Sequence, residues 1–122
     1  MTDARRQLGA YGEQLALDHL ERLGYTLVAR NHRTRHGELD LVVCDARALV
    51  FVEVKTRRSR RPGRQWDSLH PRKQAQVRRM AIAFLNEVCE RPKRPGIRFD
   101  AIGITIDPAG RLVDLQHLEG AF

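Results

Sequence analysis

The sequence has only two cysteines, Cys44 and Cys89. Two thiols cannot build the disulfide framework of a small secreted domain, and their separation fits no zinc pattern. Both are expected to be unpaired and half-buried. Lysine is nearly as scarce: of the 22 basic residues, only Lys55, Lys73 and Lys93 are not arginine. No uncharged apolar run approaches the roughly 20 residues that cross a bilayer. The opening segment MTDARRQLGA lacks the apolar stretch and small-residue cleavage site of a secretory signal. A membrane protein and a secreted disulfide scaffold are therefore not expected, and the cytoplasm is the expected compartment. Internal repeats, low-complexity tracts and a clear linker are also missing, and 122 residues suit one domain over 1–122.

What is present is arginine. The chain carries a net charge of +7 and a sequence pI near 10.4. Arg57, Arg58, Arg60, Arg61 and Arg64 crowd one short segment. A local basic patch points to a polyanion more strongly than diffuse charge does. A solvated loop kept soluble by its charges has the same composition.

The pattern predicts the order αβββαββ, a mixed sheet flanked by helices. Leu8, Tyr11, Leu15, Ala16, Leu20 and Leu23 recur at helical spacing from about Ala4 to Leu23, and Gly24 stops that helix. Tyr25–Asn31, Glu38–Asp45 and Leu49–Lys55 read as strands rich in Val and Leu. A basic loop broken by Pro62-Gly63 leads to a second helix, capped by Asp67 or Ser68 and running to about Glu90. Ile97–Ile106 and Arg111–Leu118 complete the sheet, with Asp107–Gly110 as the turn.

The second and third strands carry the chemistry. A two-residue loop, Ala46-Arg47, pairs Asp45 with Ala48. In that register Asp40 stands opposite Glu53 and Glu38 opposite Lys55, all four on one face. Opposed Cβ atoms lie roughly 4.5–5.5 Å apart. Two carboxylates that close repel, and the remedies are a raised pKa, a neighbouring cation or a divalent metal. Mg²⁺ takes one or two carboxylates plus water and substrate phosphate. Lys55 adds a positive point charge beside the acids, able to steady a phosphoryl oxygen. The basic segment begins directly after Lys55 and delivers phosphate-binding charge to the same place.

GELDLVV followed by VFVEVKTR resembles the D-(x)n-E-x-K signature of the restriction-endonuclease-like, PD-(D/E)XK, nuclease superfamily. Leu39 replaces the proline that usually precedes the aspartate. Over nearly the whole chain the sequence resembles the YraN family of small bacterial proteins, grouped with Holliday-junction-resolvase-like nucleases. GAYGEQLALDHLERLGY, RNHRTRHGELDLVV, FVEVKTR, the Lys73 region, RFD and the terminal AF carry that resemblance.

The resemblance implies a restriction-endonuclease-like core and a Mg²⁺-dependent DNA endonuclease acting in repair or recombination, with Mn²⁺ as a substitute ion. Asp40 and Glu53 would hold the metal, joined by Glu13 of the first helix. Lys55 would position or activate the attacking water. Glu38 is an accessory carboxylate whose role the residues leave open. Arg57, Arg58, Arg60, Arg61, Arg64 and Lys73 would contact phosphates, with Arg72, Arg78 and Arg79 widening the surface. The alternative is a non-catalytic nucleic-acid-binding module on a nuclease fold, and a protein-docking domain with a basic loop is a third reading. Nothing in the residues separates DNA from RNA. Resolvases of this fold also imply a homodimer, because a junction has two-fold symmetry. Trp66 reads as a lid over nearby core, and His32, His36 and His70 as surface residues. Asp100 reads as half of an ion pair with Arg98 or another arginine.

Overall fold

In the computed structural model, which describes residues 2–62 and 69–122, Thr2 opens the first helix. Its hydroxyl accepts the backbone N–H of Arg5 at 3.2 Å, satisfying one first-turn donor. Helix α1 spans Asp3–Arg22. The chain turns at Gly24, whose φ of +98° is open to glycine at little cost.

Five strands follow: β1 Thr26–Thr34, β2 Gly37–Cys44, β3 Ala48–Arg58, β4 Gly96–Ile106 and β5 Leu112–Leu118. Helix α2, Pro71–Glu87, lies between β3 and β4. The sheet order is β1-β2-β3-β4-β5, with β3 and β4 parallel and the other neighbours antiparallel. The architecture is thus α/β with a mixed five-stranded sheet. Ala16, Leu17 and Leu20 of α1 pack with Leu41, Val50, Ile102 and Ile104 on one face. Val77, Met80, Ala81 and Phe84 of α2 pack with Val42, Leu49 and Phe51 on the other. The terminal residues close this second face, where Phe122 stacks on Phe99 at 5.3 Å and the Ala121 N–H reaches the Phe99 carbonyl at 2.7 Å.

The boundaries depart from the sequence reading in several places, and β1 runs on to Thr34, three residues beyond Asn31. Strand β3 continues to Arg58, so Arg57 and Arg58 belong to a strand and not to a loop. Helix α2 begins at Pro71, with His70 before it, and ends at Glu87, three residues short of Glu90. Gly63, Arg64, Trp66, Asp67 and Ser68 lie outside the described residues. Of the two thiols, Cys44 is buried and Cys89 exposed, so neither is half-buried.

Asp100 is fully buried on β4 and accepts two hydrogen bonds from Arg98, each 2.8 Å. The His117 ring and the Gly120 N–H complete its shell at 2.8 Å and 3.1 Å. Burial alone would raise this carboxyl, but the Arg98, His117 and Gly120 hydrogen bonds overcome it and hold the group down at about 2. A carboxyl whose folded pKa lies below its unfolded value stabilises the fold above the unfolded pKa. That contribution is lost as pH falls toward the folded value. Asp100→Asn is expected to cost about 3–5 kcal/mol at pH 7, because it removes the close, buried charge partner of Arg98 and leaves only Glu119, at 3.9 Å, among the described residues. Urea unfolding of both proteins checks this: the gap between them should narrow from about pH 4 downward.

Candidate active site

The β2–β3 hairpin has the register that a two-residue loop dictates. Leu41 pairs with Val52, Val42 with Phe51, Val43 with Val50 and Cys44 with Leu49. Ala46-Arg47 lacks the glycine or asparagine of a tight primed turn, and the Asp45 side chain makes up for it. Asp45 Oδ1 accepts the N–H groups of Arg47 and Ala48 at 2.8 Å and 2.9 Å. Those two bonds hold its carboxyl below the usual range.

The ladder stops at Leu41 and Val52, so Asp40 and Glu53 are not a directly bonded pair. Asp40 instead turns its carboxylate into the seam, where Oδ2 accepts the Val54 N–H at 2.8 Å. A side-chain oxygen there does the work of a strand carbonyl.

Side-chain alternation breaks at this same level. Leu41 joins the α1-side core and Leu39 the α2-side core, although two residues two apart on a regular strand share a face. Opposite the break, between the pairs Arg30↔Leu41 and His32↔Leu39, lies Asn31 with φ +50°. Asparagine is among the residues that tolerate this left-handed conformation. Arg30 reaches Gln14 of α1 at 3.0 Å, while His32 packs edge-on against Phe84 of α2 at 5.1 Å. Both strands therefore step together at Asn31 and Asp40.

The step redistributes the acids, and the single face expected for Glu38, Asp40, Glu53 and Lys55 does not form. Glu38 reaches the α1 side, where Asn31 Nδ2 donates to Glu38 Oε1 at 3.1 Å and to Glu13 Oε1 at 2.9 Å. Arg33, not Lys55, is the cation near Glu38, at 3.4 Å. Glu53 faces α2 and pairs with Lys73 Nζ at 3.1 Å. Lys73 thus belongs to the acid cluster itself, in addition to any role on phosphates. Only tertiary packing brings it there, so strand spacing alone could not find the pair. Lys55 is exposed two residues beyond Glu53.

Asp40 is half-buried between these groups. Burial, then the nearby Glu53 charge, pushes its carboxyl up to about 8, against the pull of the Val54 N–H. Burial also raises Glu13, and Asn31 partly offsets that. Among the described residues no three His, Cys, Asp or Glu side chains form a ready metal cage. The donor set at the seam is two carboxylates, Asp40 and Glu53, with Glu13 near enough to act on Asp40 electrostatically. All-oxygen donors fit Mg²⁺, which completes its shell with water and phosphate and needs no all-protein cage.

Several arginines are tied up locally. Arg58 donates to the carbonyls of Asp107 and Pro108 at 3.1 Å and 3.3 Å, and Arg57 to the carbonyl of Arg61 at 2.7 Å. Arg60 and Arg61 are exposed. Arg78 lies over the rings of Phe99 and Phe122, at 5.7 Å and 5.6 Å from their centroids, which fixes it to the core edge. His32, read as a surface residue, is three-quarters covered by α2.

Fold and site together define an α/β protein whose central hairpin parts around two acids, with Lys73 of α2 paired to one of them and Lys55 two residues further along β3. The model of the uncharacterised protein family UPF0102 matches residues 12–104, and the chain belongs to that family. It is 42% identical over 122 residues to a UPF0102 protein of Pelotomaculum thermopropionicum, covering 100% of each chain. A UPF0102 protein of Mycolicibacterium gilvum is 44% identical over 98% of this chain and 96% of its own. One of Mycobacterium tuberculosis is 43% identical over 98% and 94%. No described helix is long and apolar enough to cross a membrane.

Proposed function

We propose that this chain is a Mg²⁺-dependent DNA endonuclease built on a restriction-endonuclease-like core. The observation that supports this most is the parted seam. Asp40 and Glu53 meet where the β2–β3 ladder opens, and Lys55 follows on the same strand. Burial and the neighbouring Glu53 charge both work against an ionised Asp40, so the arrangement reads as a site.

Asp40 and Glu53 would hold the ion, with Glu13 adjoining from α1. When bound, Mg²⁺ would lower the pKa of a water and offset charge on the phosphoryl group. The Val54 N–H fixes the rotamer of Asp40. Lys55, exposed beside the acids, would steady the charge that develops on the phosphoryl oxygens. In the hydrolysis a water oxygen bonds to phosphorus as the ester P–O bond breaks, and the leaving alkoxide takes up a proton. Arg60 and Arg61 would hold the backbone without reading sequence.

The test incubates wild type, Asp40→Asn and Glu53→Gln with labelled duplex, single-stranded, flap and four-way-junction DNA, with Mg²⁺ or Mn²⁺. Metal-dependent cutting by wild type, reduced at least a thousandfold in both variants, is the expected result. Salt-sensitive DNA binding with no cutting of any substrate would replace this reading with a binding module.

A further inference from the structure

A cavity of about 390 Å³ lies beside the acids, between α2 and the β1–β2 turn, lined by His36, His70, Arg72, Lys73, Gln76 and Arg79. No acid is among the described lining residues. Positions 72, 76 and 79 recur at helical spacing, so they form one stripe along α2. His36 closes the opposite wall.

The walls are fixed to one another. Gln76 Nε2 donates to the His36 carbonyl at 2.9 Å. The Thr34 hydroxyl ties the turn, donating to the Gly37 carbonyl at 2.9 Å and accepting the His36 N–H at 3.0 Å. Gly37, with φ +132°, lets the turn lie this close: a Cβ there would sit 2.9 Å from Gln76 Nε2 and 3.1 Å from Met80 Sδ. Among the described residues no acid lies in the first turn of α2 and His70 makes no side-chain cap, which leaves the positive helix end open to an anion.

We propose that this cavity is a phosphate subsite, which seats a backbone phosphodiester of the substrate strand next to the one being cut. The proposal rests on the nuclease reading for the identity of the strand, and its geometry is independent of it. Lys73 links the two places, because it lines the cavity and pairs with Glu53. Arg72 and Arg79 supply charge from the α2 wall, and the His36 ring and the Gln76 side chain supply polar contacts. A phosphate here lies beside the acid pair, on the α2 side of the sheet, away from the Glu13–Asn31–Glu38 cluster.

The experiment titrates the full chain with a thymidine pentanucleotide and, separately, with inorganic phosphate, in EDTA so that cutting plays no part. Both probes should shift the NMR signals of the His36 and His70 rings and the Gln76 side-chain amide. Arg72→Gln/Arg79→Gln removes two exposed side chains and should weaken pentanucleotide binding at least tenfold. It should also flatten the salt dependence by about 1.4, from about 0.7 per phosphate contact on a single strand. Arg5→Gln/Arg6→Gln removes equal charge from α1 and should change affinity less than twofold. Unmoved His36 and Gln76 signals, equal weakening by the two double variants, or binding of inorganic phosphate alone would each overturn the proposal. A chain that binds here yet never cuts would overturn the nuclease reading and leave the subsite standing.

Discussion

Asp40→Asn is expected to raise stability while it removes activity. The Asp40 carboxyl sits at about 8 in the folded chain, through burial first and the Glu53 charge second. In the unfolded chain it returns to about 3.9. Between those values the native state holds a proton that the unfolded state has released, so stability falls as pH rises from about 4 to about 8. Asparagine keeps an oxygen for the Val54 N–H and carries no charge against Glu53. The variant should therefore gain about 1–2 kcal/mol at pH 7 and nothing near pH 4. Mg²⁺ should stabilise the wild type against heat and leave the variant unmoved, since an ion bound only by the native state shifts the midpoint. Calorimetry across pH, with and without the ion, checks all of this. A variant less stable than wild type at pH 7 would mean that Asp40 is a structural hydrogen-bond acceptor and nothing more.

Gly12→Ala is expected to damage the fold itself. Gly12 is buried on α1 directly against β3. A Cβ there would lie 1.8 Å from Thr56 Oγ1 and 2.8 Å from both Thr56 Cβ and Cγ2. Thr56 is branched and stiff at Cβ, and its own Cβ would stay 2.8 Å from the new methyl in any rotamer. Helix and sheet would have to separate, at a cost of about 3 kcal/mol or more. Thr56→Gly in the same chain removes all three atoms and should recover much of the loss, giving a coupling of about 1–3 kcal/mol in a double-mutant cycle. Glu13 is the next residue, so the close approach also sets how near that carboxylate stands to Asp40. Denaturant midpoints of the four proteins decide the matter, and simple additivity would show that the contact is relaxed.

Much of this was legible in the chain. The hairpin register followed from a two-residue loop, and the structure supplies the missing turn chemistry through Asp45, whose side chain stands in for a glycine. Arg98 and Asp100, two apart on a strand, were readable as an ion pair because they share a face. The shared step at Asn31 and Asp40 was not legible, because period-two alternation carries no sign of a left-handed residue on the neighbouring strand. Nor was the Lys73–Glu53 pair, which depends on how α2 crosses the sheet. Close approach at Gly12 belongs to the same kind: glycine on a helix reads as a weak former until the partner strand is seen.

The β1–β2–β3 meander has a consequence in time. Asn31, Asp40 and Glu53 lie on three successive antiparallel strands joined by short turns, so their contacts are local and can form early. The long parallel pairing of β3 with β4 must wait for α2 and the chain beyond it. During synthesis the acid pair can thus meet before α2, which follows β3, covers its side of the sheet, and under the metal-binding reading proposed above a divalent cation would steady the nascent hairpin as well as the finished protein.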